Sequence, residues 1–233
     1  MFQVRIHGRG GQGVVTGAEM LSIAAFLGGR HAQAFPSFGS ERTGAPVVAY
    51  CRIDDKEIRL REPIMQPDAL IIQDPTLLHQ VDVFSGLKKD GYILINTTRT
   101  FDQLGLGEFV KGFQPERLLT VPATELAMKH VGRPVPNVPL LGAFAALGGR
   151  ITLDAVQAAI GEKFKGAVAQ GNMDCAREAY DIVMEQEQKA KAAAAPGRPK
   201  PVAPSLRDLP EGTAPMGGSA VREATNVEAN NHV

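Results

Sequence analysis

The sequence predicts an α/β fold: a mostly parallel sheet flanked by helices, with an antiparallel hairpin, a helical C-terminal part and an extended tail. Three observations carry this prediction. The chain opens on an alternating apolar segment that runs into a glycine loop and then into a stretch of helical period. Two short, nearly continuous apolar runs, Ala69-Leu70-Ile71-Ile72-Gln73 and Tyr92-Ile93-Leu94-Ile95-Asn96, have the form of strands covered on both faces. From Asn137 onward the pattern turns helical.

Phe2, Val4 and Ile6 alternate with polar residues as a strand does, and Val15, Ala18, Leu21 and Ala25 then recur at helical steps up to Gly28-Gly29. A short strand is expected at His31 to Phe35, followed by a polar, turn-rich segment from Pro36 to Pro46. Val47 to Ile53 and Glu57 to Leu60 read as an antiparallel pair joined by Asp54-Asp55. Between the two buried runs, Thr76 to Leu87 is expected as a crossover helix, with Gly91 ending the turn after it. Arg117 to Val121 offers a further strand and Thr124 to Val131 a further helix. The helical part comprises Val138 to Leu147, then Leu153 to Phe164 with Thr152 as N-cap, then Met173 to about Lys191. Two regions result: an α/β domain over 1–190 and a Pro/Ala/Gly-rich tail over 191–233. The tail carries six of the sixteen prolines and no aromatic residue after Pro196, the composition of a solvated segment or of an arm laid on a partner.

With 233 residues and 44% apolar content the chain can bury an ordinary core. Twenty-five basic against twenty-five acidic residues remove the electrostatic case for nucleic acid or an anionic membrane. Cys51 and Cys175, far apart and without CxxC spacing, cannot hold an iron–sulfur cluster or structural zinc by themselves. No segment reads as a signal peptide or a membrane span, so the expected location is the cytoplasm. The five histidines show neither metal-ligand spacing nor a local nucleophile signature, and paired catalytic carboxylates are not identifiable. No catalytic residue and no metal site is therefore expected in this chain.

The loop after the first strand reads Gly8-Arg9-Gly10-Gly11-Gln12-Gly13, a GxGxxG pattern with one extra glycine that makes the N-terminal unit Rossmann-like. Glycines let the chain turn sharply and let backbone N–H groups approach an anion, with the helix N-terminus behind them. Phosphate of a nucleotide-like cofactor is the natural ligand; the alternative is a tight turn that only packs helix against sheet. NAD needs an acid near the end of the second strand, and that region offers Arg30, His31 and Gln33 instead. An NADP reading survives through Arg30, unless Arg30 only answers the helix dipole. A second constellation, Ser37 to Pro46, contains Ser40, Glu41 and Arg42 in a loop of the kind that overhangs the carboxyl edge of an α/β sheet. Arg42 could grip a phosphate or a partner carboxylate, or Glu41 and Arg42 could be solvated in a capped surface turn.

Gly8 to Gly13 together with Ser40 to Val47 (SERTGAPV) resemble the gamma subunit of the pyruvate:ferredoxin / 2-oxoacid:acceptor oxidoreductase superfamily. Arg52 to Ile58 and Pro136-Asn137-Val138-Pro139-Leu140-Leu141-Gly142-Ala143 extend the likeness, which covers about Met1 to Glu185. The resemblance implies a complex that oxidatively decarboxylates a 2-oxoacid with coenzyme A to an acyl-CoA. Alpha, beta and delta-type subunits are its partners and carry thiamine diphosphate, Mg2+ and [4Fe-4S] clusters, and ferredoxin or NAD accepts electrons through them. The SERTGAPV form is closer to the pyruvate, 2-oxoisovalerate and arylglyoxylate branches. On this view Gly8, Gly10, Gly11, Gln12 and Gly13 face a cofactor phosphate or a neighbouring subunit, and Ser40, Glu41 and Arg42 complete the same edge. The rival functions are a non-catalytic assembly scaffold of such a complex and a free-standing NADP-binding oxidoreductase.

Overall fold

A computed structural model describes residues 1–37, 43–148 and 150–194. Ser40, Glu41 and Arg42, and the tail from residue 195 onward, lie outside the described residues. Among the described residues the chain builds a six-stranded sheet of order β2-β3-β1-β4-β5-β6. The strands are β1 (Phe2–Arg9), β2 (His31–Pro36), β3 (Pro46–Asp54), β4 (Ala69–Ile72), β5 (Tyr92–Asn96) and β6 (Leu118–Val121). The helices are α1 (Val14–Leu27), the single turn α2 (Gly107–Val110), α3 (Ala123–Val131), α4 (Asn137–Ala146), α5 (Leu153–Lys163) and α6 (Gly166–Ala194). β1, β4, β5 and β6 are mutually parallel, while β3 runs antiparallel to both β1 and β2. The mostly parallel α/β sheet with an antiparallel hairpin and a helical C-terminal part is the observed fold.

The apolar runs become central strands because both of their faces are covered. On one face Val4, Ile6, Cys51, Ile71 and Leu94 pack against α1 and the C-terminal helices. On the other, Ile72, Ile93 and Ile95 meet Leu77, Val83 and Leu104 from the connections. α4 is buried along its whole length, and every residue in it except Asn137 is apolar, as a helix surrounded on all sides requires. Thr152 caps α5 as its position predicts, its Oγ1 accepting from the Ala155 amide at 3.1 Å. Thr152→Ala should cost about 1 kcal/mol in chemical unfolding, while Thr152→Ser should cost much less.

Three elements differ from the sequence reading. Glu57 to Leu60 forms no strand. β3 already pairs with β2 on one edge and β1 on the other, so no free edge remains for it. Instead the segment after β3 runs as a strap, held by the buried Arg52 guanidinium on the carbonyls of Leu60 and Glu62 at 3.2 and 2.7 Å. Thr76 to Leu87 is not a crossover helix either. It keeps one 3-10 turn, Pro75–His79, which places Leu77 against the sheet, and the turns after it carry Val83 and Leu87 there. Arg5, buried in β1, fixes this connection through the carbonyls of Val83 and Ser85. Finally, α6 begins at Gly166 rather than Met173, because its first turns carry exposed residues such as Ala167 and Gln170 and so show no apolar period. Among the described residues no helix is long and apolar enough to cross a membrane.

Candidate functional site

β1 and β4 are neighbours in the sheet, yet the chain leaves β1 toward β2 on one side and reaches β5 and β6 on the other. Their carboxyl ends therefore mark the topological switch point, where open α/β sheets bind ligands. The glycine loop leaves β1 at this point. Gly8 is its packing end: a Cβ there would lie 2.6 Å from Val14 Cγ2 and about 3 Å from the side chains of Gln73 and Gln12, so only glycine lets α1 seat on the strand. Gly11 and Gly13 adopt left-handed φ of 97° and 71° and turn the chain into α1, whose N-cap is Gly13.

The first helix bond is Gly17 N–H to Gly13 O at 2.8 Å. The amides of Gly13, Val14, Val15 and Thr16 thus have no acceptor within the helix. The Gly11 amide likewise has no acceptor among the described residues. These groups border a cleft of about 260 Å³ lined by Arg9, Gly10, Gly11, Gly13, Thr16 and Val47. Among the described residues, a Cβ on Gly11 would meet nothing within 4 Å. Toward the helical layer the same loop borders a second cleft of about 330 Å³, with Val131, Val135, Phe164 and Val168 as apolar walls. Asn137 supports the loop from α4, its Nδ2 donating to Gly13 O at 3.2 Å.

The other loop residues are engaged within the protein. Gly10 donates its N–H to Ala45 O at 2.9 Å and accepts from the Gly44 amide, which brings the segment that follows Arg42 against the glycine loop. Gln12 is turned inward: its Oε1 accepts from the Arg9 amide at 2.8 Å and its Nε2 donates to Asp74 at 2.9 Å. Arg9 reaches Asp74, Gly44 O, Thr76 and Gln80. Burial opposes ionisation of Asp74, but the hydrogen bonds from Thr76 and Gln12 and the Arg9 charge outweigh it and hold its carboxyl below the usual range. Among the described residues, the Arg9 and Asp74 charges offset one another, and the helix end adds roughly half a positive charge at the cleft.

Of the loop positions singled out in the sequence, Gly10, Gly11 and Gly13 border the cleft, whereas Gly8 packs against α1 and Gln12 is turned toward Asp74. Sequence reasoning missed Val14, Val15, Thr16 and Asp74. Orphan amides at a helix start are general, but the motif does not show where the first turn begins. Asp74 stands 65 residues from Arg9, and no local pattern announces the pairing. Arg30 lies at the opposite edge of the sheet, beside Asp54 and Asp55 at the start of β2, and pairs with Asp55 at 3.4 Å. It cannot meet a 2′-phosphate of a nucleotide held by the glycine loop. Both cysteines are buried. Burial pushes the Cys51 thiol far up, and burial with the Glu178 charge pushes Cys175 up to about 12, so neither supplies a thiolate at neutral pH. Iodoacetamide at pH 8 should label both only after the chain is unfolded, which mass spectrometry would read.

Comparison with known proteins adds the following. The family described as pyruvate ferredoxin/flavodoxin oxidoreductase matches residues 3–182. The pyruvate/ketoisovalerate oxidoreductases common subunit gamma of Thermococcus litoralis is 45% identical over 187 residues, 80% of this chain and 100% of that protein. The pyruvate synthase subunit PorC of Methanosarcina barkeri is 48% identical, again over 80% of this chain and 100% of that one. Among solved structures, the pyruvate oxidoreductase subunit PORC of Thermotoga maritima superposes with a TM-score of 0.64 at 35% identity, covering 77% of this chain and 95% of that chain.

Proposed function

The chain belongs to the pyruvate ferredoxin/flavodoxin oxidoreductase family, and from that premise we propose that it is the gamma subunit of a 2-oxoacid oxidoreductase complex in which its glycine loop helps bind coenzyme A. One observation carries the coenzyme A part: the amides of Gly11 and Gly13 to Thr16 border a cleft at the switch point, and among the described residues nothing lies within 4 Å of where a Gly11 Cβ would stand. Such a set of donors suits phosphate oxygens.

Coenzyme A supplies the thiol that takes the acyl group when a 2-oxoacid is oxidatively decarboxylated. This chain's own residues bind and orient. The α1 amides hold a phosphate, the left-handed Gly11 keeps the approach clear, and Val131, Val135 and Phe164 offer an apolar flank to the rest of the ligand. Binding of this kind acts through position, converting an encounter into a held geometry. Thiamine diphosphate, Mg2+ and the clusters belong to companion subunits in this reading. The chain's two cysteines, buried and with raised pKa values, suit no cluster.

The assembly part is tested by purifying the complex through a tag on this chain. Expected are companion chains carrying thiamine diphosphate and iron–sulfur clusters, with electron transfer from a 2-oxoacid such as pyruvate or 2-oxoisovalerate that depends on coenzyme A. A chain that purifies alone and folded, or a complex whose turnover ignores coenzyme A, would overturn the proposal.

A further inference from the structure

We propose that Asp74 is a positioning residue for the glycine loop: its carboxylate keeps Gln12 out of the cleft and engages the Arg9 guanidinium at the cleft wall, and so leaves the first-turn amides of α1 to the ligand. This inference rests on the coenzyme A reading above, which supplies the ligand.

Asp74 lies two residues after the end of β4, at the switch point beside β1. Its Oδ2 accepts from Arg9 Nε at 3.0 Å and Gln12 Nε2 at 2.9 Å. Its Oδ1 accepts from the Thr76 amide at 2.9 Å and the Thr76 hydroxyl at 2.6 Å. Donors on both oxygens fill the acceptor capacity of a carboxylate. The contacts form a closed ring, because Gln12 Oε1 accepts from the amide of Arg9. With its amide tethered at both ends, Gln12 cannot swing into the cleft. Arg9 is the tempting phosphate ligand by charge and position, but Asp74, Gly44 O, Thr76 and Gln80 take up its guanidinium. The arrangement ties together the loops after β1 and β4 and the segment before β3, so a change at Asp74 alters the shape of the phosphate site without removing any group that touches it.

Asp74→Asn keeps the size but replaces one oxygen by an NH2 group. Whichever way the amide turns, donors then face donors: Arg9 and Gln12 on one side, or Thr76 on the other. The assembled complex carrying Asp74→Asn should show a coenzyme A KM raised about tenfold or more, the scale of a displaced binding group, with kcat and the 2-oxoacid KM within about twofold. Gln12→Ala, which leaves the Arg9–Asp74 pair in place, should raise the coenzyme A KM about threefold to fivefold, and the double variant should be no worse than Asp74→Asn alone, because both act through one ring. A merely structural role would instead raise both KM values together in the assembled complex, and that result overturns the proposal, as does an unchanged coenzyme A KM or strict additivity. If Asp74→Asn fails to assemble, Gln12→Ala decides alone by the same criterion. Gly11→Val separates this proposal from its premise. If it raises the coenzyme A KM while Asp74→Asn does not, only the positioning role fails; if neither moves it, the coenzyme A reading fails.

Discussion

Gly142→Val is expected to abolish the native packing of the C-terminal helices. Gly142 lies in the middle of α4 where it crosses α6, and a Cβ there would run into the backbone of Ala176, its carbonyl oxygen first. The obstacle is main chain inside a helix, not the flexible end of a side chain, so it cannot yield by a change of rotamer. Ala176 and the flanking Cys175 and Ala179 are fully buried, and separating the helices would open voids along a close-packed seam. Overpacking against backbone belongs with the rare lesions of about 4 kcal/mol or more, a large share of the total stability of an ordinary domain. For a chain of this size that corresponds to a Tm lower by roughly 10 °C, or to insoluble protein. Gly161→Ala in α5 is the contrasting case. There the new Cβ would meet only Met173 Cε at 3.4 Å, and the variant should be neutral or more stable by up to about 1 kcal/mol. Thermal unfolding of both variants checks the contrast, and equal effects would contradict the packing described.

The second large effect is expected on acidification and centres on His7. His7 is 6% exposed, and its Nε2 has no hydrogen-bond partner among the described residues. Burial, with the neighbouring Arg5 charge, lowers its pKa from 6.5 to about 3. Between those values the unfolded chain holds a proton at this position that the folded chain does not. Stability from this group is therefore complete above pH 6.5 and is lost as the pH falls, at about 1.4 kcal/mol per unit, reaching roughly 4 to 5 kcal/mol near pH 3. Asp74 and Glu178, whose carboxyls lie below their ordinary values, also lose stabilisation in acid, but only from their unfolded values of 3.8 and 4.5 downward. Of these three groups, His7 is the one that acts between pH 6.5 and 4.5. His7→Leu should flatten the stability curve there, and urea unfolding between pH 7 and 4.5 would read it. An equal slope in wild type and variant would show that His7 takes up its proton in the folded chain.

What the sequence reveals and what it hides follow from the range of the interactions. β1, α1, β4 and β5 are legible because glycines and apolar runs encode their own surroundings. α5 is legible because Thr152 is a local cap. The Glu57 to Leu60 segment looks like a strand because charged and apolar residues alternate in it. Its fate is set by β2 and β1 taking both edges of β3, information that lies outside the segment. The site divides the same way. Five glycine-loop positions are visible as a motif, but the division of labour within it is not. Gln12 reads as a ligand for an anion, yet it is consumed by Asp74 together with Arg9, and the open donors are ordinary valine and threonine amides one turn further on.

The central claim is that these amides, with the unobstructed Gly11, hold a phosphate of coenzyme A. Gly11→Val tests it most directly, because a Cβ there would meet nothing within 4 Å among the described residues, while φ of 97° penalises it by about 1 to 3 kcal/mol at the loop itself. The decisive measurement is calorimetric titration of coenzyme A into the assembled complex, wild type against Gly11→Val. The account predicts intact assembly and a Kd weakened about tenfold or more, equivalent to roughly 1.4 kcal/mol. An assembled variant that binds coenzyme A with an unchanged Kd would contradict it.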